Sequence, residues 1–167
     1  MLEPAARMAE QLIYGPRVEL NDLLSARFEN RTSVSLHVSP TGDREKQRAI
    51  GETRQGWRDG LRVLAQKTKE DPAFKEVTMV TATSWVVRVL GPMFEELGFH
   101  VDYEGEDPAG RFFLTRYKLM HNFDRPPKKY QGIKPCFANM SRTELLKRHG
   151  PGEATSATAA SASNDRP

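Results

Sequence analysis

A loop between a predicted strand and a predicted helix is the clearest candidate for binding chemistry in the chain. The strand ends in Val38-Ser39-Pro40, and Arg48-Ala49-Ile50-Gly51 opens the long helix that follows. At the start of a helix the first backbone amides have no partner within the helix, and the helix dipole adds a partial positive charge. Such an end favours an anion, typically a pyrophosphate. The pattern therefore predicts a phosphate-binding turn near Ile50 and Gly51.

A second motif, Phe94-Glu95-Glu96-Leu97-Gly98-Phe99, closes a short predicted helix further along the chain. Together the two motifs resemble the GNAT superfamily of acetyl-CoA-dependent N-acetyltransferases, over about residues 33–120. In that family a Q/R-x-x-G-x-G/A loop holds the CoA pyrophosphate, and a Y-E-x-L-G-F segment ends the following helix. The resemblance implies acetyl-CoA or another acyl-CoA as donor, and an amine on a small molecule or a protein as acceptor.

The resemblance also implies roles for individual positions. The residues that would surround the pyrophosphate are Val38, Arg48, Ile50, Gly51, Glu52 and Thr53. Thr53 stands where the family has glycine or alanine, and Phe94 stands where it has the tyrosine that usually protonates the departing CoA thiolate. Because phenylalanine has no hydroxyl, a different group has to supply that proton.

Three side chains outside the motifs are candidates for proton transfer. His37 alternates onto the polar side of its strand, and imidazole titrates near neutral pH, as a general base for an attacking amine should. Tyr103 and Tyr117 are candidates to replace the missing tyrosine acid. The alternative interpretation is structural: the histidine is a hydrogen-bonded surface residue, and the tyrosines pack half-buried against a sheet.

Positive charge is concentrated in the C-terminal third of the chain. Residues 111–149 contain 10 basic and 2 acidic side chains, a net charge of +8, whereas residues 1–110 carry a net charge of −4. One stretch mixes basic residues with an aromatic one: Arg125, Lys128, Lys129, Tyr130 and Lys134. This mixture suits phosphate contacts and base stacking. The alternative function is therefore a non-catalytic adaptor that binds an acidic protein or nucleic acid through residues 111–149, unless these charges form only a solvated surface.

Composition limits the class of protein. The chain has 167 residues, of which 38% are hydrophobic and 28% charged, as in one globular domain. No apolar run approaches the roughly 18 to 20 residues that span a bilayer, and Glu3 and Glu10 interrupt the stretch where a signal peptide would be uncharged. One cysteine, Cys136, with four dispersed histidines supplies neither an internal disulfide nor a structural zinc site. We expect a cytoplasmic protein with no metal and no membrane partner.

Hydrophobic spacing predicts the elements that position these candidates. Predicted helices cover residues 4–14, 21–28, 45–69 and 92–97, and a last one begins at the capping box Ser141-Arg142-Thr143-Glu144. Predicted strands cover residues 33–38, 77–83, 100–103, 111–120 and 137–140. Residues 121–135 form a proline-rich connection, and residues 153–167, which lack Leu, Ile, Val and aromatics, form a disordered tail. The sequence thus predicts one α/β (α+β) domain over residues 1–152, with a mixed central sheet and helices on both faces.

Overall fold

The computed structural model describes residues 17–38, 54–120 and 131–152, which form a mixed sheet of six strands together with five α-helices. The strands are β1 (Arg17–Glu19), β2 (Leu24–Phe28), β3 (Ser33–Val38), β4 (Met79–Ser84), β5 (His100–Asp102) and β6 (Cys136–Ser141). The helices are α1 (Arg54–Glu70), α2 (Trp85–Val89), α3 (Gly91–Glu96), α4 (Pro108–Met120) and α5 (Arg142–His149), and a 3₁₀ turn (Pro72–Phe74) follows α1. None of the described helices is both long and apolar enough to cross a membrane.

The strands lie side by side in the order β1-β2-β3-β4-β6-β5. Among the described strands, β3 and β4 are parallel neighbours, and the other neighbouring pairs are antiparallel. Helix α1 lies between β3 and β4 in sequence and makes the crossover that a parallel pair requires. Because β5 and β4 are both antiparallel to β6, the strands β3, β4 and β5 all end at the same edge of the sheet. We call this edge the carboxyl edge.

One face of the sheet, the apolar face, is packed against helices α1, α3 and α5. Its strand residues alternate with those of the other face and are buried: Leu24, Ala26, Val34, Leu36, Val80, Ala82, Ala138 and Met140. Trp57 of α1, Phe94 of α3 and Leu145 of α5 join them in one core. Helix α1 approaches β2 so closely that a Cβ at Gly60 would lie 2.6 Å from Leu24 Cδ1, so a larger residue here would displace the Leu24 side chain.

The opposite face, the polar face, carries mostly polar side chains. They include Arg17, Ser25, Arg27, Ser33, Ser35, His37, Thr81, Thr83, Asp102 and Asn139. Helix α4 covers the β6 side of this face: the ring of Phe113 stacks on that of Phe137 with centroids 5.2 Å apart, and a Cβ at Gly110 would lie 2.7 Å from Asp102 Oδ2. Helices therefore lie on both faces of a mixed sheet, which confirms the predicted fold class.

Strand β2 takes the place of the helix predicted over residues 21–28, so that prediction is wrong. The side chain of Asn21 caps a turn before the strand, because its Oδ1 accepts hydrogen bonds from the amides of Leu23 at 2.9 Å and Leu24 at 2.7 Å. Asparagine makes this local bond in turns as readily as at the start of a helix. The asparagine alone could therefore not distinguish a turn before a strand from the start of a helix.

Helix α4 takes the place of the strand predicted over residues 111–120, which is also wrong. Its start is marked by Asp107, whose Oδ1 accepts from the Ala109 amide at 2.8 Å and whose carbonyl accepts from the Arg111 amide at 2.9 Å. Pro108 at the first helical position fits this start. Of the aromatic residues that favoured a strand, Phe113 stacks on Phe137 of the sheet, whereas Phe112 is exposed.

Several predicted elements are confirmed. Residues 33–38 form β3, and the second half of the helix predicted over residues 45–69 lies within α1. Gly98, after α3, has a φ of 103°, as expected of a glycine that ends a helix. The last helix begins at Ser141, whose Oγ accepts from the Glu144 amide at 3.1 Å. The predicted helix over residues 4–14, the start of the helix over 45–69, most of the proline-rich connection and the tail lie outside the described residues.

Candidate functional site

The parallel strands β3 and β4 separate before they reach the carboxyl edge. Their register pairs Ser33 with Met79, Val34 with Val80 and Ser35 with Thr81, and it stops there. Both strands continue for three more residues, 36–38 and 82–84. We call the opening between these two segments the β3–β4 gap.

Each side of the gap is held by the strand on its far side. Val38 pairs with Leu24 of β2, and Ser84 pairs with Cys136 of β6, so both strands stay in the sheet to their ends. The backbone groups of residues 36–38 and 82–84 that face the gap do not pair across it. Leaving buried backbone N–H and C=O groups without hydrogen bonds costs free energy. Within the described residues, the facing edges of these two segments are therefore not joined to each other.

On the polar face, His37 and Thr83 flank the gap. His37 pairs with Ser25 of β2, is half-buried, and lies two residues beyond the last β3–β4 pair. Thr83 holds the matching position on β4, and its Oγ1 is a buried atom with no hydrogen-bond partner among the described residues. A hydroxyl both donates and accepts hydrogen bonds. Sequence reasoning missed Thr83, although polar residues at alternate positions, 81 and 83, indicated a polar strand face.

On the apolar side of the gap, Val38 ends β3 with 42% of its surface exposed, which is unusual for an apolar side chain in this domain. Opposite it, Ser84 ends β4 and caps α2, since its Oγ accepts from the Val87 amide at 3.3 Å. Trp85, the first residue of α2, is half-buried beside it. Val38 and Ser84 thus end the two strands on the apolar side of the gap.

The first turn of α1 lies at the same edge of the sheet. The Asn21 side chain donates from Nδ2 to the carbonyl oxygen of Gly56 at 2.9 Å, which ties α1 to the turn that precedes β2. The first residue of β2, Leu24, pairs with Val38 at the end of β3. Of the residues expected around a pyrophosphate, only Val38 is described; Arg48, Ile50, Gly51, Glu52 and Thr53 lie outside the described residues.

The two candidate tyrosines lie on opposite faces of the sheet. Tyr103 follows β5 and packs against α3 on the apolar side, where a Cβ at Gly91 would lie 2.7 Å from its ring. Burial raises the pKa of Tyr103, and a hydrogen bond to Glu95 with that residue's negative charge raises it further. The structure therefore does not bring Tyr103 together with His37.

Tyr117 shares the polar face with His37. It lies on the inner side of α4, one of four residues at helical spacing that turn toward the sheet: Gly110, Phe113, Leu114 and Tyr117. Helix α4 contacts both β6 and β4, the strand that carries Thr83. Of the two tyrosines, Tyr117 is the one positioned on the side of His37 and Thr83.

Phe94 and Cys136 are buried. Phe94 meets the rings of Trp57 and Phe99 edge to face, with centroids 4.8 and 5.3 Å away. Burial raises the pKa of the Cys136 thiol to about 11, with Asp102 adding to this and Arg88 opposing it. A thiol with so little thiolate at neutral pH is a poor nucleophile.

Two arginines of the basic segment 111–149 serve the fold. Arg142 donates to the carbonyl oxygens of Thr68, Phe74, Lys75 and Val77 at distances from 2.6 to 3.2 Å. Arg148 pairs with Glu144 and donates to the carbonyl of Glu96.

Of the five candidate residues for nucleic-acid or partner binding, only Lys134 lies within the described part of the chain. Lys134 is exposed, and its carbonyl accepts from Arg88 Nε at 2.8 Å. Arg125, Lys128, Lys129 and Tyr130 lie outside the described residues. Within the described part of the chain, no three His, Cys, Asp or Glu side chains are grouped so as to hold a metal ion.

No protein-family model, curated protein or solved structure matches the chain.

Proposed function

We propose that the protein binds an acyl-CoA in the β3–β4 gap and transfers the acyl group to an amine. The observation that carries this proposal is the separation of the parallel strands after Ser35 and Thr81, at the edge where α1 begins. In open sheets with parallel strands, ligands bind outside the carboxyl ends of the strands. At that position the gap adds two strand segments, residues 36–38 and 82–84, that do not pair with each other.

The chemistry of the donor suits such an opening. The arm of CoA between its pyrophosphate and its sulfur is extended and contains two amide groups. An extended chain with amides adds to an exposed strand edge through main-chain hydrogen bonds. Residues 36–38 and 82–84 provide such edges on both sides of the gap. The exposed apolar side chain of Val38 suits the methylene groups of the same arm.

The transfer itself requires one bond to form and one to break. The amine nitrogen attacks the thioester carbonyl carbon, a C–N bond forms, and the C–S bond breaks. The amine gives up one proton, for which His37 is the base at the gap, and the sulfur gains one, for which Tyr117 is the donor on the same face. The Thr83 hydroxyl is placed to donate a hydrogen bond to the carbonyl oxygen as negative charge develops on it.

Titration of the protein with acetyl-CoA, followed by calorimetry, tests the first part of the proposal. We expect saturable heat, and amide chemical-shift changes in NMR spectra concentrated at residues 36–38 and 82–84. Absence of heat at millimolar ligand contradicts the proposal. So do shift changes confined to the β1 or β5 edges of the sheet.

Release of CoA thiol in the presence of an amine tests the second part. His37→Gln should reduce the rate at least tenfold, since a positioned general base contributes about 10²–10⁴-fold to a rate. His100→Gln is the matched control, because His100 is an exposed strand histidine on the same face. Equal rates of thiol release in His37→Gln and His100→Gln would show that His37 is not the general base.

The adaptor hypothesis has less support from the described residues. It relies on the charge of residues 111–149, and there Arg142 and Arg148 are bound to carbonyl oxygens within the fold. The salt dependence of binding to a single-stranded oligonucleotide tests it. A steep loss of affinity with added salt would favour nucleic-acid binding.

A further inference from the structure

Helix α1 carries a ridge of three arginines. Arg54, Arg58 and Arg62 are four residues apart, and residues at this spacing are neighbours on one side of a helix. Four residues rise about 6 Å along the helix axis, so the ridge is about 12 Å long. The charge of the sequence segments conceals this ridge, because residues 1–110 carry a net charge of −4.

Helix α5 brings further positive charge to the same layer of helices. It packs against α1, and its last turn contains Lys147 and Arg148, both exposed. The buried His149 ends this helix, with its Nε2 2.8 Å from the carbonyl oxygen of Leu97. We call the three arginines of α1 together with Lys147 and Arg148 the α1–α5 patch.

His149 shows that charges of both helices act at one place. Burial lowers its pKa, the bond to the Leu97 carbonyl opposes this, and the positive charges of Arg58, Arg148 and Arg62 lower it further. These arginines come from helices that are about eighty residues apart in the sequence. The fold therefore joins them into one positive surface.

The ion pairs on this surface are exposed. The side chains of Arg54 and Arg62 are 56% and 49% exposed, and they pair with Glu96 at 2.5 Å and with Asp59 at 3.2 Å. Exposed ion pairs contribute only about 0–1 kcal/mol to stability. Phosphate groups can therefore replace these carboxylates at little cost.

Two members of the patch are free of such contacts. Within the described residues, Arg58 and Lys147 form no ion pair and no side-chain hydrogen bond. Arg58 is partly exposed, and Lys147 is exposed. Arg148, by contrast, pairs with Glu144 and donates to a carbonyl oxygen, so it contributes charge to the patch rather than a free guanidinium.

The arrangement of the charges favours several phosphates over one. Arg54 and Arg62 pair with carboxylates on different helices, Glu96 on α3 and Asp59 on α1, so their guanidinium groups do not converge on one point. One strand of a nucleic-acid duplex carries a phosphate about every 3.4 Å along its axis. The ridge of about 12 Å therefore faces three or four phosphates of such a strand.

The surroundings of the patch disfavour other polyanion-binding modes. The exposed large apolar side chains of the described residues are Val38 and Phe112, neither of which lies on α1 or α5, whereas protein–protein interfaces have an apolar core. Trp57, the aromatic residue of α1, is buried. Binding of single strands normally uses exposed aromatic rings on which bases stack. Contacts to the phosphates of a duplex need neither feature.

We propose that the α1–α5 patch binds the phosphate backbone of a nucleic-acid duplex without reading its base sequence. Arg54, Arg58, Arg62 and Lys147 make the contacts. This interaction goes beyond acyl transfer and does not depend on it. It also differs from the adaptor hypothesis, because its arginine ridge lies on α1, outside residues 111–149.

Fluorescence anisotropy of a short labelled DNA duplex, titrated with the protein at several salt concentrations, tests the proposal. Each phosphate contact contributes about −0.9 to the slope of log K against log salt, so four contacts predict a slope of about −3 to −4. A duplex of unrelated sequence should bind within about twofold, because backbone contacts carry no sequence information.

Variants locate the contacts. Arg58→Gln should make the slope shallower by about 0.9 and weaken binding about three- to tenfold at low salt. Because Arg58 forms no ion pair within the described residues, its replacement should leave thermal unfolding unchanged. Arg31→Gln removes the same charge from the exposed β2–β3 turn and is the matched control. Lys134→Gln removes an exposed charge from the basic segment 111–149, outside the patch.

Four results would overturn the proposal. One is a slope no steeper than about −1, the value for a single contact. The second is an equal loss of affinity in Arg58→Gln and Arg31→Gln. The third is a loss in Lys134→Gln but not in Arg58→Gln, which would assign the contacts to the basic segment 111–149. The fourth is equally tight binding of poly-glutamate, which would indicate an acidic protein as the partner. None of these results involves acyl-CoA, so they are separate from a failure of the proposed function.

Discussion

The rings of Trp57 and Phe94 meet edge to face, with their centroids 4.8 Å apart. Phe94 is fully buried, and a second edge-to-face contact joins it to Phe99. Position 94 thus packs α3 against α1. In the GNAT superfamily, with which the sequence analysis compared the chain, the corresponding position belongs to a tyrosine whose hydroxyl protonates a thiolate. Here the phenylalanine is a core residue, and a hydroxyl added to its ring would be enclosed by apolar groups.

Phe94→Tyr should therefore destabilise the protein without creating an acid. Burying a hydroxyl that lacks a partner costs about 1–3 kcal/mol. We expect a loss of this size in the free energy of unfolding, measured with urea, and no increase in the rate of thiol release. Phe112→Tyr is the control, because Phe112 is 63% exposed, and its effect should stay within about 0.5 kcal/mol. A stable Phe94→Tyr variant with faster acyl transfer would argue against this account.

Local sequence signals predicted the elements whose contacts are local. The alternation over residues 33–38 identified β3, and the capping box at Ser141 identified α5. Local sequence signals failed for α4, because the aromatic and β-branched residues in its sequence favoured a strand. The signal that would have corrected this was Asp107-Pro108, a cap residue followed by proline at the first helical position.

The candidate site was only partly predictable for a different reason. Alternation placed His37 on a polar strand face, but it says nothing about which strand lies beside which. The gap arises because β3 remains paired with β2, and β4 with β6, beyond the point where β3 and β4 separate. Strand β6 begins at Cys136, far along the chain from β4. The juxtaposition of Arg17 with Arg27 likewise follows from register alone.

The Cys136 thiol should be unreactive in the folded protein. It is fully buried at the start of β6, and burial raises its pKa to about 11. At pH 8 we expect negligible labelling by a disulfide reagent, and rapid labelling of one thiol in denaturant. Thr143→Cys supplies the control, because position 143 is exposed and should be labelled at once. Fast labelling of native Cys136 would show that the β6 end opens readily. Its protection also lets a thiol reagent measure released CoA without interference.

His149 should make stability depend on pH. Its Nε2 lies 2.8 Å from the carbonyl oxygen of Leu97. Burial lowers the pKa of His149, the bond to Leu97 opposes this, and the positive charges of Arg58, Arg148 and Arg62 lower it further. In the unfolded state His149 has a pKa of about 6.5, so it takes up a proton at higher pH there than in the folded state.

The sign of the effect follows from this difference. The contribution of His149 is fully present above about pH 6.5, and it is lost as the pH falls from there toward the lower pKa of the folded state. We expect the free energy of unfolding to decrease over that range, and His149→Gln to flatten the decrease. Equal slopes in the wild type and His149→Gln would show that His149 does not titrate differently in the two states.

Thr81 and Thr83 lie on the same strand and the same face, but they should respond differently to replacement by valine. Thr81 Oγ1 donates to the carbonyl oxygen of Val34 at 3.3 Å, whereas the buried Thr83 Oγ1 has no hydrogen-bond partner in the described part of the chain. Thr81→Val should lower the free energy of unfolding by about 0.5–1.5 kcal/mol, the usual net value of one such bond. Thr83→Val should leave it unchanged or raise it, because an unsatisfied hydroxyl is replaced by a methyl group of similar shape.

The rate of acyl transfer should respond in the opposite way, with a larger loss in Thr83→Val than in Thr81→Val. If the Thr83 hydroxyl stabilises charge on the carbonyl oxygen, Thr83→Val lowers the rate of acyl transfer by a factor of ten or more and leaves acetyl-CoA affinity within about twofold, since such a bond strengthens only as the transition state forms. Thr81→Val should retain most of the rate because it lies at the last paired position, below the gap. A stabilised Thr83→Val variant with full activity would leave the hydroxyl without a role in transfer. A destabilised one would mean that it bonds within the fold.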